Sequence, residues 1–458
     1  MSLLLLIATG PLSRIRETGL DLSLLERATG LVGLATILGL AWLMSYDRRR
    51  FPWRLVGAGL LLQTTFGVLV LKTTPGRWFF EGVGGVVNGL LSFSGQGARF
   101  IFGNLVDNTV PVGTPGGPEG ALDTTAGFLA STGSLFAFGV LPTIIFFSAL
   151  MSVLYYLGVM QLVVKGLAWV MQRTLRTSGA ETLSASGNIF LGQTEAPLLI
   201  KPFVEKLTSS ELFTVMVGGF ATVAGAVFAA YVLMLQGVLP DIAGHLLAAS
   251  VMNAPAGLLL SKIIRPETDT PLSRDALHVV VERTDANVVE AAASGASTGV
   301  QLALNVGGML MAFIALISML NFGLGWAGQL VGIESLSLQS IFGLVLRPLA
   351  WTMGVPWHET AYVGGLIGLK TVLTEFVAYA RFGGDLTAGV MTLSPRATII
   401  SAYALLGFAN LPSIGIQIGG IGGLAPSRRG DLARFGLRAM VAGNLAAFMS
   451  ATLAGMLM

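Results

Sequence analysis

The chain contains no cysteine, which removes disulfides, thiolate metal sites and cysteine nucleophiles from consideration. Charge is almost as scarce. Only 11% of the 458 residues are Asp, Glu, Lys or Arg, against about 25% in a soluble domain. Three histidines occur, His245, His278 and His358, and none has the i, i+4 partner that a helical metal site needs. The formal net charge of +3 is too small to point to nucleic acid. What is present is apolar: 53% of residues are hydrophobic, and the 60 glycines lie within apolar runs, as close helix packing requires. This is an all-α polytopic membrane protein by composition.

Apolar windows long enough to span a bilayer fall near residues 29–46, 55–71, 134–158, 211–235, 242–264, 289–320, 396–422 and 436–457, giving about eight transmembrane helices. Residues 1–28 read as an uncleaved, interfacial leader: Leu3–Ala8 is too short to span, and Arg14 and Arg16 stand where a cleavage site should be. Segments 79–103, 160–173, 179–203 and 355–381 are apolar but too interrupted to cross simply. Residues 104–125, rich in Gly, Pro and Asp, read as an exposed loop. Basic residues set the orientation. Placing Arg48–Arg50 and Arg54 in the cytoplasm also brings inside Lys165/Arg173/Arg176, Lys201/Lys206, Lys262/Arg265/Arg274/Arg283 and Arg428/Arg429/Arg434/Arg438. Both termini then face outward.

Two carboxylates sit inside the apolar sequence: Glu195 in Gly192-Gln193-Thr194-Glu195-Ala196-Pro197, and Glu375 in Lys370-Thr371-Val372-Leu373-Thr374-Glu375-Phe376. Such a group at the bilayer centre costs about 2.5–3.5 kcal/mol even on lenient scales, so it marks a functional site. Short apolar arms on either side of a polar tip predict two re-entrant hairpins, at 179–203 and 355–381; the alternative is a pair of amphipathic surface helices. Gly219-Phe220-Ala221-Thr222-Val223-Ala224-Gly225 has a counterpart in Gly407-Phe408-Ala409-Asn410-Leu411-Pro412-Ser413. Each follows a glutamate-bearing hairpin and precedes one long apolar span. A single span separates the copies, so they form an inverted repeat, the architecture of secondary transporters.

Gln193, Thr194 and Glu195 supply donors and acceptors at one tip, while Asn410 and Ser413 share a face where Pro412 interrupts helical bonding. With Glu375 and the ring of Phe408, this set suits a small neutral solute with several hydroxyls and a planar polar ring. Two pocket carboxylates disfavour an anion. Helix–helix hydrogen bonding is the plainer role for Asn410 and Ser413. Asn188, Thr222 and free carbonyls at the first helix break make a neutral oxygen cage suited to Na+. A membrane-embedded enzyme would need a nucleophile with a base, a metal cluster or an extramembrane domain, and none is visible. A channel fits less well than an occluded site made of single-copy polar sets.

The stretches Gly187–Leu199, Gly219–Gly225, Ser250–Ala256, Gly299–Asn305, Glu375–Tyr379 and Ser401–Pro426 resemble the concentrative nucleoside transporter family, and the similarity runs from about residue 29 onward. The resemblance implies that Gln193, Thr194 and Glu195 address the base, that Glu375, Asn410 and Ser413 hold the ribose, and that Phe408 and Val227 line the pocket. It implies Na+ at Asn188, Thr222 and the carbonyls of Leu191 and Val223, with no organic cofactor. It further implies a homotrimer in the cell (inner) membrane, importing nucleosides by elevator motion of a transport domain against a scaffold. Scaffold would comprise 29–158, with an external loop at 104–133, and 265–346. The transport repeats would be 159–264 and 347–458. Three departures stand out. Thr374 replaces the family's Asn, and Ala226 replaces a small hydroxyl residue. Gly192 in place of serine is similar to members that also admit purines. Proton-coupled members, the alternative, carry a different first tip.

Overall fold

The computed structural model describes residues 24–458 apart from 108, 112–113, 116–121, 124–128, 132–135, 274–284, 331 and 334–335. The expected leader up to residue 23, together with Arg274 and Arg283, lies outside the described residues. Counting helices of nine residues or more, the chain forms α1 (Leu24–Leu43), α2 (Trp53–Lys72), α3 (Thr74–Phe102), α4 (Leu141–Tyr156) and α5 (Val159–Leu175). There follow α6 (Gly179–Gly187), α7 (Ser209–Ala221), α8 (Gly225–Leu235), α9 (Ile242–Ile264), α10 (Val288–Leu330) and α11 (Leu338–Thr352). The chain ends with α12 (Thr360–Val372), α13 (Glu375–Thr387), α14 (Pro395–Ala404), α15 (Leu411–Leu424) and α16 (Arg429–Leu457).

Among the described residues, six helical stretches are long and apolar enough to cross a membrane: 53–72, 137–156, 209–235, 242–264, 288–330 and 426–457. Two further windows expected as spans appear as the shorter apolar helices Thr29–Leu43 and Leu411–Leu424. Residues 79–103 differ from expectation. They belong to one uninterrupted helix of 29 residues, α3, whose first turn is capped by the Thr73 side chain and which stops at Gly103 with φ 57°. The glycines expected to break it are tolerated, because an isolated Gly costs a helix only about 1 kcal/mol. The span expected at 289–320 extends to 43 residues in α10. The loop after α3 is not wholly irregular: Thr109–Pro111 pairs antiparallel with Leu129–Ser131, and Thr114–Pro115 with Leu122–Asp123.

Burial separates two kinds of helix. The most apolar windows of 209–235 and α9 are 89% buried and that of 426–457 is 83% buried, against 22–28% for α2, α4 and α10. A helix apolar and buried all round belongs to a core, whereas one apolar all round yet exposed needs lipid or a partner. The buried core is α7, α9 and α16 packed mutually, with α14 and α15 also on α16. Outside it, α4 runs along α10, and α11 runs along α12. The α4–α10 seam is built on small residues, since a Cβ added to Gly295 or Gly299 would stand 2.5–2.9 Å from Ser152 or Ser148.

Both helix pairs suspected of being hairpins are compact helix–turn–helix units. In the first, α6 leads through a turn at 188–195 into a 3-10 turn, Ala196–Ile200, and a short helix, Lys201–Val204. A buried polar cluster anchors its base: Ser178 N–H donates to Glu181 at 2.8 Å, Lys262 pairs with Glu181 at 2.7 Å, and Ser178 Oγ donates to Glu211 at 2.6 Å. The second unit joins α12 to α13 through Leu373 and Thr374. Its base is held by Glu359, which accepts from the N–H and hydroxyl of Ser394, both at 2.7 Å. Thr374, the departure from the family pattern, serves as the N-cap of α13 and accepts from Val377 N–H.

Candidate solute and ion site

The polar residues converge because two helices are interrupted at adjacent points. Helix α7 ends at Ala221 and the chain runs extended through Thr222 before α8 begins at Gly225. Helix α14 ends at Ala404, and residues 405–410 are non-helical before α15. The two interruptions touch. Phe408 N–H donates to the Thr222 carbonyl at 3.2 Å. Gly407 makes the approach possible: its φ is +113°, and a Cβ there would lie 2.7 Å from the Phe220 oxygen and 2.8 Å from the Ala221 oxygen.

The repeat seen in sequence has a counterpart in hydrogen bonding. Asn253 on α9 donates to the carbonyl of Ala221 at 2.8 Å, and Asn444 on α16 donates to that of Ala409 at 2.9 Å. Ala221 and Ala409 are the matching third residues of the two Gly-Phe-Ala copies. In each copy, the helix after the interrupted one supplies the amide that caps the break.

Glu375 opens α13, is 4% exposed, and has both carboxylate oxygens engaged. Tyr231 on α8 donates to Oε1 at 2.7 Å, and Asn410 donates to Oε2 at 2.8 Å. Asn410 in turn caps α15, its Oδ1 accepting from Ser413 N–H at 2.9 Å. Ser413 Oγ accepts from Gln193 Nε2 at 3.1 Å, so the first tip reaches across to α15. Gln193 Oε1 accepts from Gln417 at 3.0 Å, and Gln417 also donates to the Met216 carbonyl at 3.1 Å. Gly219 admits this tip, because a Cβ there would come 2.9 Å from that of Gln193. The structure thus brings Gln193, Glu375, Asn410 and Ser413 into one linked set, with two branches joined through Asn410 and Ser413.

Glu195 is placed differently. It is exposed, and its Oε2 accepts from Gly192 N–H at 3.1 Å within its own turn. No hydrogen bond links it to Glu375 among the described residues. Thr194 is half-buried beside Gly420 of α15, Phe408 is half-buried, and Val227 is buried on α8. The expected Na+ ligands cluster at the first break. Asn188 follows α6 and is fully buried, yet neither its Oδ1 nor its Nδ2 has a hydrogen-bond partner. Its amide lies against Gly218, whose carbonyl accepts from Thr222 Oγ1 at 2.9 Å. Leu191 and Val223 are buried nearby in sequence. An orphaned buried amide is costly, about 1–3 kcal/mol, and a hard cation bound to its oxygen would relieve that cost.

Three participants were missed in the sequence: Tyr231, Gln417 and Lys370. A signal existed for two of them. Gln417 lies four residues after Ser413 and seven after Asn410, on one helical face, and Tyr231 lies four after Val227. Lys370 is fully buried, and its Nζ donates to the carbonyls of Ala404 and Leu406 at 3.0 and 3.1 Å.

A polytopic helical membrane protein with a buried polar site at paired helix interruptions is a solute transporter. Comparison with known proteins makes this specific. Residues 32–105 match the N-terminal part of the family described as Na+ dependent nucleoside transporter, and 245–455 match its C-terminal part. Residues 137–237 match a domain described as Gate, nucleoside recognition. The chain is 45% identical to the uncharacterized transporter YutK of Bacillus subtilis (strain 168), over 93% of this chain and 98% of that one. It is 40% identical to sodium/nucleoside cotransporter 1 of Mus musculus, over 94% of this chain and 64% of the mouse protein. Its structure is similar to CNTnw in an inward-facing substrate-bound state: TM-score 0.82, 42% identity, 94% and 97% of the two chains covered. A CNTnw variant in an outward-facing state gives TM-score 0.85, covering 94% and 98%. The chain belongs to the concentrative, Na+-dependent nucleoside transporter family, and it is a transporter and not an enzyme.

Proposed function

We propose that this protein is a sodium-driven symporter that imports nucleosides, pyrimidine and also purine, across the cell (inner) membrane. The observation that carries the reading is the linked polar set: Glu375 held by Tyr231 and Asn410, and Gln193 held by Ser413 and Gln417. Glu375, Asn410 and Ser413 take the ribose hydroxyls, because a carboxylate with two donors in place still has lone pairs for two hydroxyl hydrogens. Gln193 and Thr194 read the base edge, Glu195 closes on it from the accessible side, and Phe408 and Val227 form the apolar walls. Gly192 leaves room beside the base, which favours purines as well as pyrimidines.

Na+ is a second substrate. Asn188 Oδ1, Thr222 Oγ1 and the carbonyls of Leu191 and Val223 take it, fixing the tip that carries Gln193 and Glu195. The unpartnered amide of Asn188 supports this role. One charge moving through 100 mV supplies about 2.3 kcal/mol, equivalent to roughly fifty-fold accumulation before any Na+ gradient is added. The two helix–turn–helix units act as re-entrant hairpins of an inverted repeat. With α5, α7–α9 and α14–α16 they form the transport domain, which moves against a scaffold of α1–α4, α10 and the first half of α11. The exposed apolar face of α10 suits contact with lipid and with two further copies in a homotrimer. Both termini lie outside the cytoplasm.

The test is radiolabelled uridine uptake into proteoliposomes under a Na+, Li+ or proton gradient in turn. Accumulation above the external concentration only with Na+ is expected. Uptake driven by protons alone would replace sodium with proton coupling. Mere equilibration would mean a channel, and no uptake under any gradient would sink the substrate assignment.

A further inference from the structure

Lys370 is a basic residue, wholly buried, and has no part in the solute contacts proposed above. Its place becomes informative when the two repeats are set in register. Matching Gly219-Phe220-Ala221 to Gly407-Phe408-Ala409 pairs Gly218 with Leu406 and Met216 with Ala404. In the first repeat, Asn188 comes one residue after Gly187 and shortly before Thr194-Glu195, and it lies against Gly218. In the second, Lys370 comes two residues after Gly368 and shortly before Thr374-Glu375, and it donates to Leu406 and Ala404. The first arm of each hairpin therefore presses one polar side chain against the same turn of the following helix. The two side chains are not equivalent. Asn188 is an amide without a partner, while Lys370 is a basic side chain whose Nζ donates to two carbonyls and lies 5.8 Å from the Phe448 ring.

We propose that Lys370 is a tethered cation that does for the second repeat what Na+ does for the first. It is a positioning residue, pinning α12 to the end of α14 and thereby setting Glu375 at the head of α13. The second hairpin is then locked by a covalently attached group that never leaves. The first is locked only while an ion is bound, so ion control of the site resides in one hairpin. This inference rests on the sodium reading of the Asn188 cage.

The test measures uridine affinity by calorimetry on the purified full-length protein, with Na+ replaced stepwise by choline, together with the melting temperature in each ion. Lys370→Met removes the charge and keeps the bulk. It should bind uridine at least tenfold more weakly at every Na+ concentration while keeping the rise in melting temperature that Na+ confers. Lys370→Asn restores at this position the kind of amide found in the first repeat. It should be equally weak in low Na+, recover in high Na+, and depend on Na+ more steeply than the wild type by one ion. The proposal is overturned if Lys370→Met binds uridine within twofold of wild type, or loses the Na+-dependent melting shift. It is also overturned if the Asn and Met variants respond alike to Na+. A wild-type protein whose affinity and melting both ignore Na+ would sink the sodium reading itself, and the parallel with it.

Discussion

Gln417→Met is the sharpest probe of the solute site. Gln417 is fully buried and donates to Gln193 Oε1 and to the Met216 carbonyl, while its own Oε1 has no partner. Methionine fills nearly the same volume, so little cavity term is added. Met216 lies inside α7, where its carbonyl belongs to the helical ladder, so its loss is minor. Removing the orphaned Oε1 returns some stability. The main cost falls on Gln193, whose carbonyl is left without a donor and whose amide loses its orientation. A buried acceptor stranded in this way costs about 1–3 kcal/mol, which the returned stability trims to about 1–2 kcal/mol. That predicts uridine binding weaker by roughly 5- to 30-fold, measured by calorimetry, with the Na+ affinity of the nucleoside-free protein within about twofold of wild type. Affinity for uridine unchanged within twofold would refute the claim that this bridge orients the first tip. Equal losses for uridine and Na+ would mean that the residue supports the fold and not recognition.

Three other substitutions test separate parts of the site. Asn188→Ala should remove most of the Na+ dependence of uridine uptake, and uptake that keeps its full dependence would discard the cage assignment. Tyr231→Phe deletes one donor to a carboxylate, a bond worth about 1.5–3 kcal/mol, so nucleoside affinity should fall roughly ten- to hundredfold with unchanged chromatographic behaviour. Gly407→Ala forces a side chain into a positive-φ position between two carbonyls. At a cost of about 2–4 kcal/mol, it should lower the melting temperature and the yield of folded protein, and a yield equal to wild type would contradict the contact between the two breaks.

Much of this arrangement was legible before any coordinates. An acid between Gly192 and Pro197 marked the first tip, an acid after Lys370, Thr371 and Thr374 marked the second, and the Gly-Phe-Ala repeat marked both interruptions, because a charge in an apolar run has few innocent explanations. The continuity of α3 and the length of α10 were not legible, since glycines weaken a helix without ending it. The partners of Glu375 and Gln193 escaped for another reason. Tyr231 and Gln417 lie 144 and 224 residues away in sequence from the groups they bond, so helical spacing could place each on a site-facing side but could not name its partner. The orphaned amide of Asn188 is also a three-dimensional fact, visible only once every neighbour is placed.

The bond from Phe408 N–H to the Thr222 carbonyl carries a thermodynamic obligation. It joins the peptide of a proposed pocket wall to a residue of the proposed ion cage without any intervening side chain. Whatever factor Na+ contributes to nucleoside affinity, nucleoside must return to Na+, because linkage between two equilibrium sites is reciprocal. The empty carrier should therefore hold Na+ loosely, and the cargo should be what makes the ion reluctant to leave.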